Sequence, residues 1–265
     1  MTLDMGKIVI GIASKHPKNV KILGIKETYC EKKFIHTSEG YDISGFDSDL
    51  ISVRNNVRIE GNFQSERYIS NHKERLTNAF QMESPDIDLW NTCIIHFRGG
   101  DYSPHNSLLL PPSYYRNAMI LLRQQYSKIK FLIITNDTSL ARSYFPKEEI
   151  ISNYLDSEVY SGPDKKVDYR VARDLSLLQN APYIILSNSS FSWWGAWTNR
   201  KAVSIIAPKY WARHNADNGY WSTGGIMTSS WQYIDVKGRC WSFEECTEEF
   251  REFQESQRYT SKRVI

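Results

Sequence analysis

A chain of 265 residues with 41% hydrophobic side chains is large enough to bury a substantial core without cross-links. Its 33 basic and 30 acidic residues leave a formal charge of only +3, which excludes the broad basic surface of a protein that grips nucleic acid. No stretch of about 18 apolar residues occurs, and the apolar run near the N-terminus is too short for a signal peptide, so a cytoplasmic protein is expected.

Residues 7–12 (KIVIGI) and 20–25 (VKILGI) read as short buried strands followed by turn-forming residues, which predicts a small N-terminal α/β unit. Between Tyr68 and Met82, the positions Ile69, Leu76, Ala79 and Phe80 follow helical spacing with charges between them, which predicts a helix. From Trp90 onward short apolar strands alternate with amphipathic stretches. Strands are expected at 93–97, 130–135, near Ile150, at 183–187 and at 203–208, with helices at 111–126, 139–144 and 168–180. Residues 153–167 read as a loop and 243–259 as a polar C-terminal helix. The predicted organisation is an N-terminal α/β half over 1–89, a Rossmann-like half over 90–240 and a C-terminal helix over 241–265.

The 13% of aromatic residues must mostly pack, although any exposed rings would suit the apolar faces of sugars. Cys30, Cys93, Cys240 and Cys246 form no CxxC pair, and Cys93 lies within an apolar run. They predict a buried thiol at 93, a reducing compartment and no zinc site.

In open α/β sheets ligands bind beyond the carboxyl ends of the strands, so the residues that follow each strand carry the chemistry. After CIIHF comes RGGDY, which places His96, Arg98 and Asp101 at or just past a strand end. The guanidinium fork of Arg98 is suited to two phosphate oxygens, and a buried Arg98–Asp101 ion pair is the alternative. His96 is either a ligand contact or a hydrogen-bonded core histidine. The strand 130–135 ends in Asn136 and Asp137, where Asp137 is a helix cap or a ligand contact. Asp174 borders a helical face containing Val171, Leu175 and Leu178, where its carboxylate fits either a guanine edge or a helix salt bridge.

The segment LSNSSFSWWGAWTN (186–199) is the most informative. An apolar strand runs into Asn188, Ser189 and Ser190, and a helix starts near Phe191. Its first-turn amides, with the hydroxyls of Ser189, Ser190 and Ser192, suit a pyrophosphate, although one serine is also a common cap. Trp193, Trp194 and Trp197 recur at about one helical turn and are expected to be largely core, with Gly195 allowing close helix packing.

These residues carry a family resemblance. HFRGGDY (96–102) resembles the HxRxxDY-type motif of the family 11 glycosyltransferases, the α-1,2-fucosyltransferases, and SNSSFSWWGAWTN (187–199) resembles their serine-rich motif. NFQSERY (62–68), LPPSYYRNA (110–118), TND (135–137), RDLSLLQNA (173–181) and IIAPKYW (205–211) follow in the family's order, so the resemblance spans about residues 58–212. It departs at the N-terminus, where VIGIASKHPKN (9–19) stands in place of the family's glycine-rich GGLGNQ-like segment.

The resemblance implies an α/β, GT-B-like fold of two Rossmann-like halves with parallel sheets, the first on the acceptor side and the second binding the donor. It implies no required metal or other cofactor and GDP-fucose as donor substrate. Arg98 would hold the donor phosphates. His96 and Asp174 would lie near guanine or phosphate, and Asn188, Ser189, Ser190 and Ser192 near the diphosphate. The partners it implies are a nucleotide-sugar donor and a glycan acceptor, with the enzyme peripheral to a membrane through a lipid-linked acceptor. By location, Asp101 and His96 are the candidate general bases. The rival readings are a noncatalytic nucleotide-sugar- or glycan-binding module and a glycosyltransferase with another donor.

Overall fold

A computed structural model of the chain describes residues 27–31, 35–36, 42–43, 46–53, 57–61, 63–105, 108–152, 169–209, 211–213, 220–221 and 226–261. The expected strands at 7–12 and 20–25 and the loop at 153–167 lie outside these residues. In the first part, β1 (Glu27–Cys30), β2 (Ile35–His36), β3 (Asp42–Ile43) and β4 (Val57–Glu60) form a parallel β1–β4 pair and an antiparallel β2–β3 pair.

The expected helix at 68–82 is shorter than its spacing predicts. Two 3-10 turns, Glu66–Tyr68 and Ser70–His72, precede α1 (Lys73–Ala79). Tertiary hydrogen bonds explain the difference: the Tyr68 hydroxyl donates to Glu31 Oε1 at 2.9 Å and accepts the Asp47 N–H at 2.6 Å. Held there, Tyr68 joins the β1–β4 region instead of extending α1.

The remainder of the chain is built around one sheet. Its elements are β5 (Thr92–Phe97), α2 (Pro112–Gln125), β6 (Lys130–Thr135), α3 (Thr138–Tyr144), β7 (Glu149–Ile150), α4 (Tyr169–Asn180), β8 (Tyr183–Ile185), α5 (Ser190–Trp197), β9 (Ser204–Pro208), β10 (Ala212–Arg213), β11 (Tyr220–Trp221), β12 (Gln232–Ile234), β13 (Cys240–Trp241) and α6 (Phe243–Ser261). Seven strands lie in the order β13-β12-β9-β8-β5-β6-β7, all parallel except β13, while β10 and β11 form a separate antiparallel pair.

Counted from β5, the six parallel strands follow the doubly wound order 3-2-1-4-5-6. The chain moves outward from β5 to β7, then returns to β8 on the other side of β5. The crevice between β5 and β8 is therefore the topological switch point, where such sheets bind ligands.

Side-chain alternation builds a layer on each face. Cys93, Ile95, Phe97, Ile133, Ile185 and Ile206 pack beneath α2 and α3 with Tyr114, Leu122 and Phe145. Ile94, Ile134, Ile184 and Ala207 face Leu177, Leu178, Trp193 and Trp197 of α4 and α5. Trp193 and Trp197 stack at 5.5 Å, so the tryptophan-rich stretch is indeed largely core. At Gly195 a Cβ would lie 2.6 Å from Leu178 Cβ, so only glycine permits the α4–α5 approach. Cys93 is the expected buried thiol.

Candidate active site

His96 is the last-but-one residue of β5, and alternation turns it toward the α4–α5 face, opposite Phe97. It is only 4% exposed, its ring lies 5.6 Å from Phe191, and its Nδ1 is 2.6 Å from Ser187 Oγ. That contact joins the ends of β5 and β8 across the switch point. Burial first, and then the nearby Arg98 charge, push the imidazole down to about 3, so the ring is neutral near pH 7.

Arg98 follows the strand. Its Nη2 lies 2.9 Å from Asp101 Oδ1 and 3.0 Å from Oδ2, and its guanidinium sits over the Tyr102 ring at 5.4 Å. The ion pair forms, but at the surface and not buried as that alternative required, since Asp101 is 58% exposed. Arg98 Nε, in contrast, is buried and has no hydrogen-bond partner among the described residues. A buried donor without an acceptor is costly, and a phosphate oxygen would satisfy it.

The intervening Gly99–Gly100 turn is held from β6. Gly99 N–H donates to Asn136 Oδ1 and Gly100 N–H to Asp137 Oδ2, each at 3.0 Å. Gly100 has φ +46, and a Cβ there would meet Asn136 Nδ2 at 2.5 Å. Asp137 also caps α3, accepting the Leu140 N–H at 2.9 Å. Both of its oxygens thus serve the backbone.

On the other side, Ser189 is the N-cap residue of α5 but makes no side-chain capping bond. Among the described residues the Ser189 and Ser190 hydroxyls have no hydrogen-bond partner. Ser192 differs from them: it is fully buried and its hydroxyl donates to the carbonyls of Ser189 (3.0 Å) and Ser187 (3.3 Å). Asn188 is also committed. Its Nδ2 donates to Leu108 O at 2.8 Å and Trp211 O at 2.6 Å, while its carbonyl accepts from the Tyr102 hydroxyl at 3.3 Å. Asn188 therefore ties together the segments after β5, β8 and β9.

Asp174 lies farther along the same edge. It is 4% exposed and accepts from Ser152 Oγ at 3.0 Å, and Ser152 Oγ in turn accepts the Thr135 N–H at 2.8 Å. The carboxyl edge thus carries Asp174, the Asn136–Asp137 pair, Arg98, His96 and the serine turn in spatial sequence. An open cleft lined by Lys73, Asn78, Asn199 and Arg200 lies at the opposite edge, where Asn199 Nδ2 donates to Ala181 O, and it contains none of these residues.

Residues 54–235, more than half of the chain, match the sequence profile described as Glycosyl transferase family 11. The chain belongs to that family. As a family 11 glycosyltransferase it has the expected α/β, GT-B-like fold class. It is 29% identical over 210 residues to an "Alpha-1,2-colitosyltransferase" of Escherichia coli, covering 74% of this chain and 68% of the relative. It is 25% identical over 185 residues to "O-antigen biosynthesis glycosyltransferase WbnK" of Escherichia coli, covering 62% of this chain and 58% of that protein. The chain thus spans less than two thirds of the second relative's length. No solved structure matches the glycosyltransferase significantly. Among its described residues no helix is long and apolar enough to cross a membrane.

Sequence reasoning missed two features of the site. Ser187 was not distinguished within its motif, because pairing it with His96 requires knowing that β8 lies beside β5. Lys209, just past β9, is 6% exposed, with Nζ 2.6 Å from Glu249 Oε2 of α6 and over the Trp241 ring at 3.5 Å. An apolar strand followed by a lone lysine gave no sign of that pairing.

Proposed function

We propose that this glycosyltransferase transfers L-fucose from GDP-β-L-fucose to the 2-hydroxyl of a terminal galactose on a glycan, inverting the anomeric centre to form an α-1,2-linked fucoside. The acceptor oxygen forms a bond to the anomeric carbon from the face opposite the diphosphate. The bond from that carbon to the diphosphate breaks, GDP departs with the electron pair, and the acceptor proton passes to a base.

The observation that carries the reading is the buried Nε–H of Arg98, which lacks an acceptor among the described residues and lies just past β5 at the switch point. Arg98 would hold the donor diphosphate and offset the charge that develops as GDP leaves. Ser189, Ser190 and the first-turn amides would complete the cradle. Asn188 and Ser192 shape it through the backbone bonds they make. Asp174 would contact the guanine side and His96 the diphosphate, and Asp101 and His96 would be the candidate bases.

On this reading transfer needs no added metal, because cationic and dipolar groups meet the leaving charge. Residues 1–89 would form the acceptor side, 90–240 the donor side and 241–265 the C-terminal helix. The enzyme would work in the cytoplasm, peripheral to a membrane through a lipid-linked acceptor.

A second donor is favoured by the similarity to a colitosyltransferase. Colitose is fucose without its 3-hydroxyl, and a pocket that hydrogen-bonds that group would reject the deoxy sugar by roughly four orders of magnitude. Calorimetric titration and turnover with GDP-fucose, GDP-colitose, GDP-mannose and UDP-sugars, in chelator, test the reading. Tightest binding and fastest transfer with GDP-fucose are expected. A preference for GDP-colitose would replace fucose as the donor, and binding of none would remove the donor-site assignment.

A further inference from the structure

The His96–Ser187 contact has a direction that follows from counting donors and acceptors. Ser187 is 1% exposed, and among the described residues the only hydrogen-bond partner of its hydroxyl is His96 Nδ1. Had Nδ1 carried the proton, the serine hydrogen would be buried with no acceptor, whereas a spare hydroxyl lone pair costs much less. The serine therefore donates to Nδ1. The proton of the neutral ring is left on Nε2, which has no protein partner among the described residues.

Two further contacts fix the arrangement. Phe191 lies against the imidazole, and the Ser187 carbonyl accepts from Ser192 Oγ, so both partners are held by the first turn of α5.

We propose that Ser187 is a positioning residue that locks His96 as the Nε2–H tautomer, so that His96 donates a hydrogen bond to an anionic oxygen of the donor diphosphate. This inference rests on the donor reading above. A neutral N–H beside Arg98 adds directional donation to the guanidinium's charge without desolvating a second cation. It also divides the two candidate bases. With Nδ1 engaged by Ser187 and Nε2 protonated, His96 has no lone pair for the acceptor proton, and that role falls to a carboxylate such as Asp101.

The decisive experiment is 15N NMR of histidine-labelled protein near pH 7, following long-range couplings from ring carbon-bound protons to both nitrogens, first alone and then with GDP. The unliganded wild type is expected to show His96 as a single tautomer with Nδ1 unprotonated and Nε2 protonated, and a protonated Nδ1 would overturn the proposal. On adding GDP, the Nε2 resonance should shift. Shifts at other histidines or in the rest of the spectrum without one at His96 Nε2 would overturn the diphosphate contact. No response to GDP anywhere would instead defeat the donor reading, leaving the tautomer result to stand alone.

Kinetics add a second readout. Ser187→Ala should lower kcat about tenfold to a hundredfold while the donor KM changes less than about threefold, and Ser187→Thr, which keeps the hydroxyl, should recover most of kcat. Unchanged kcat in Ser187→Ala would contradict the assignment. Should Ser187→Ala not fold, the wild-type tautomer still decides.

Discussion

His96 gives the chain a pH signature. Its folded-state value, about 3, lies below the ordinary 6.5, so between these values the unfolded chain binds a proton that the folded chain refuses. Stability is complete above about pH 6.5 and falls as the pH drops through that window, by about 3 kcal/mol at pH 4. Urea unfolding from pH 7 to 4 should show His96→Gln losing less stability than wild type, and equal losses would contradict the buried neutral ring. Arg98→Ala should lower turnover at least about a hundredfold, the scale of removing a preorganised charge stabiliser. Near-normal turnover in the folded variant would sink its role. At this scale the sequence located Arg98, His96 and the serine turn by motif, and left the partners of each undecided. Asn188 as a loop tie depends on atoms distant in sequence, whereas the cap made by Asp137 and the back-bond of Ser192 are local, three residues away.

At the scale of elements, periodicity located most of the second half. The strand expected at 130–135 forms over those residues, and the helix expected at 111–126 forms over Pro112–Gln125. Apolar spacing there is strong and is bounded by proline or polar turns. It misled at 68–82, where Tyr68 is held by Glu31 and Asp47, and it passed over β12 and β13, whose two or three residues are too few for a period. Close packing of α4 on α5 was legible in one residue, Gly195. Gly195→Leu should destabilise by about 1–3 kcal/mol, because its side chain must displace Leu178. Chemical denaturation checks this, and an unchanged midpoint would mean that the helices separate freely.

Across the whole molecule, the doubly wound strand order sets where the proposed site lies. Composition and alternation pointed to a parallel α/β sheet, but only the topology brings His96 beside Ser187 and puts the proposed donor cradle at the switch point. The C-terminal helix is tied to the same sheet edge, since α6 supplies Glu249 to buried Lys209 just beyond β9. Glu249→Ala should cost roughly 2 kcal/mol by removing the carboxylate from a desolvated ammonium, which thermal unfolding will measure, and an unchanged Tm would show that α6 does not hold that edge. The most direct test of the central claim is product analysis. Purified protein is incubated in chelator with GDP-fucose and β-galactoside-terminated acceptors, and the products are examined by mass and linkage. The expected product is fucose on the 2-hydroxyl of the terminal galactose; fucose at any other position, or no transfer to any galactoside, would contradict the account.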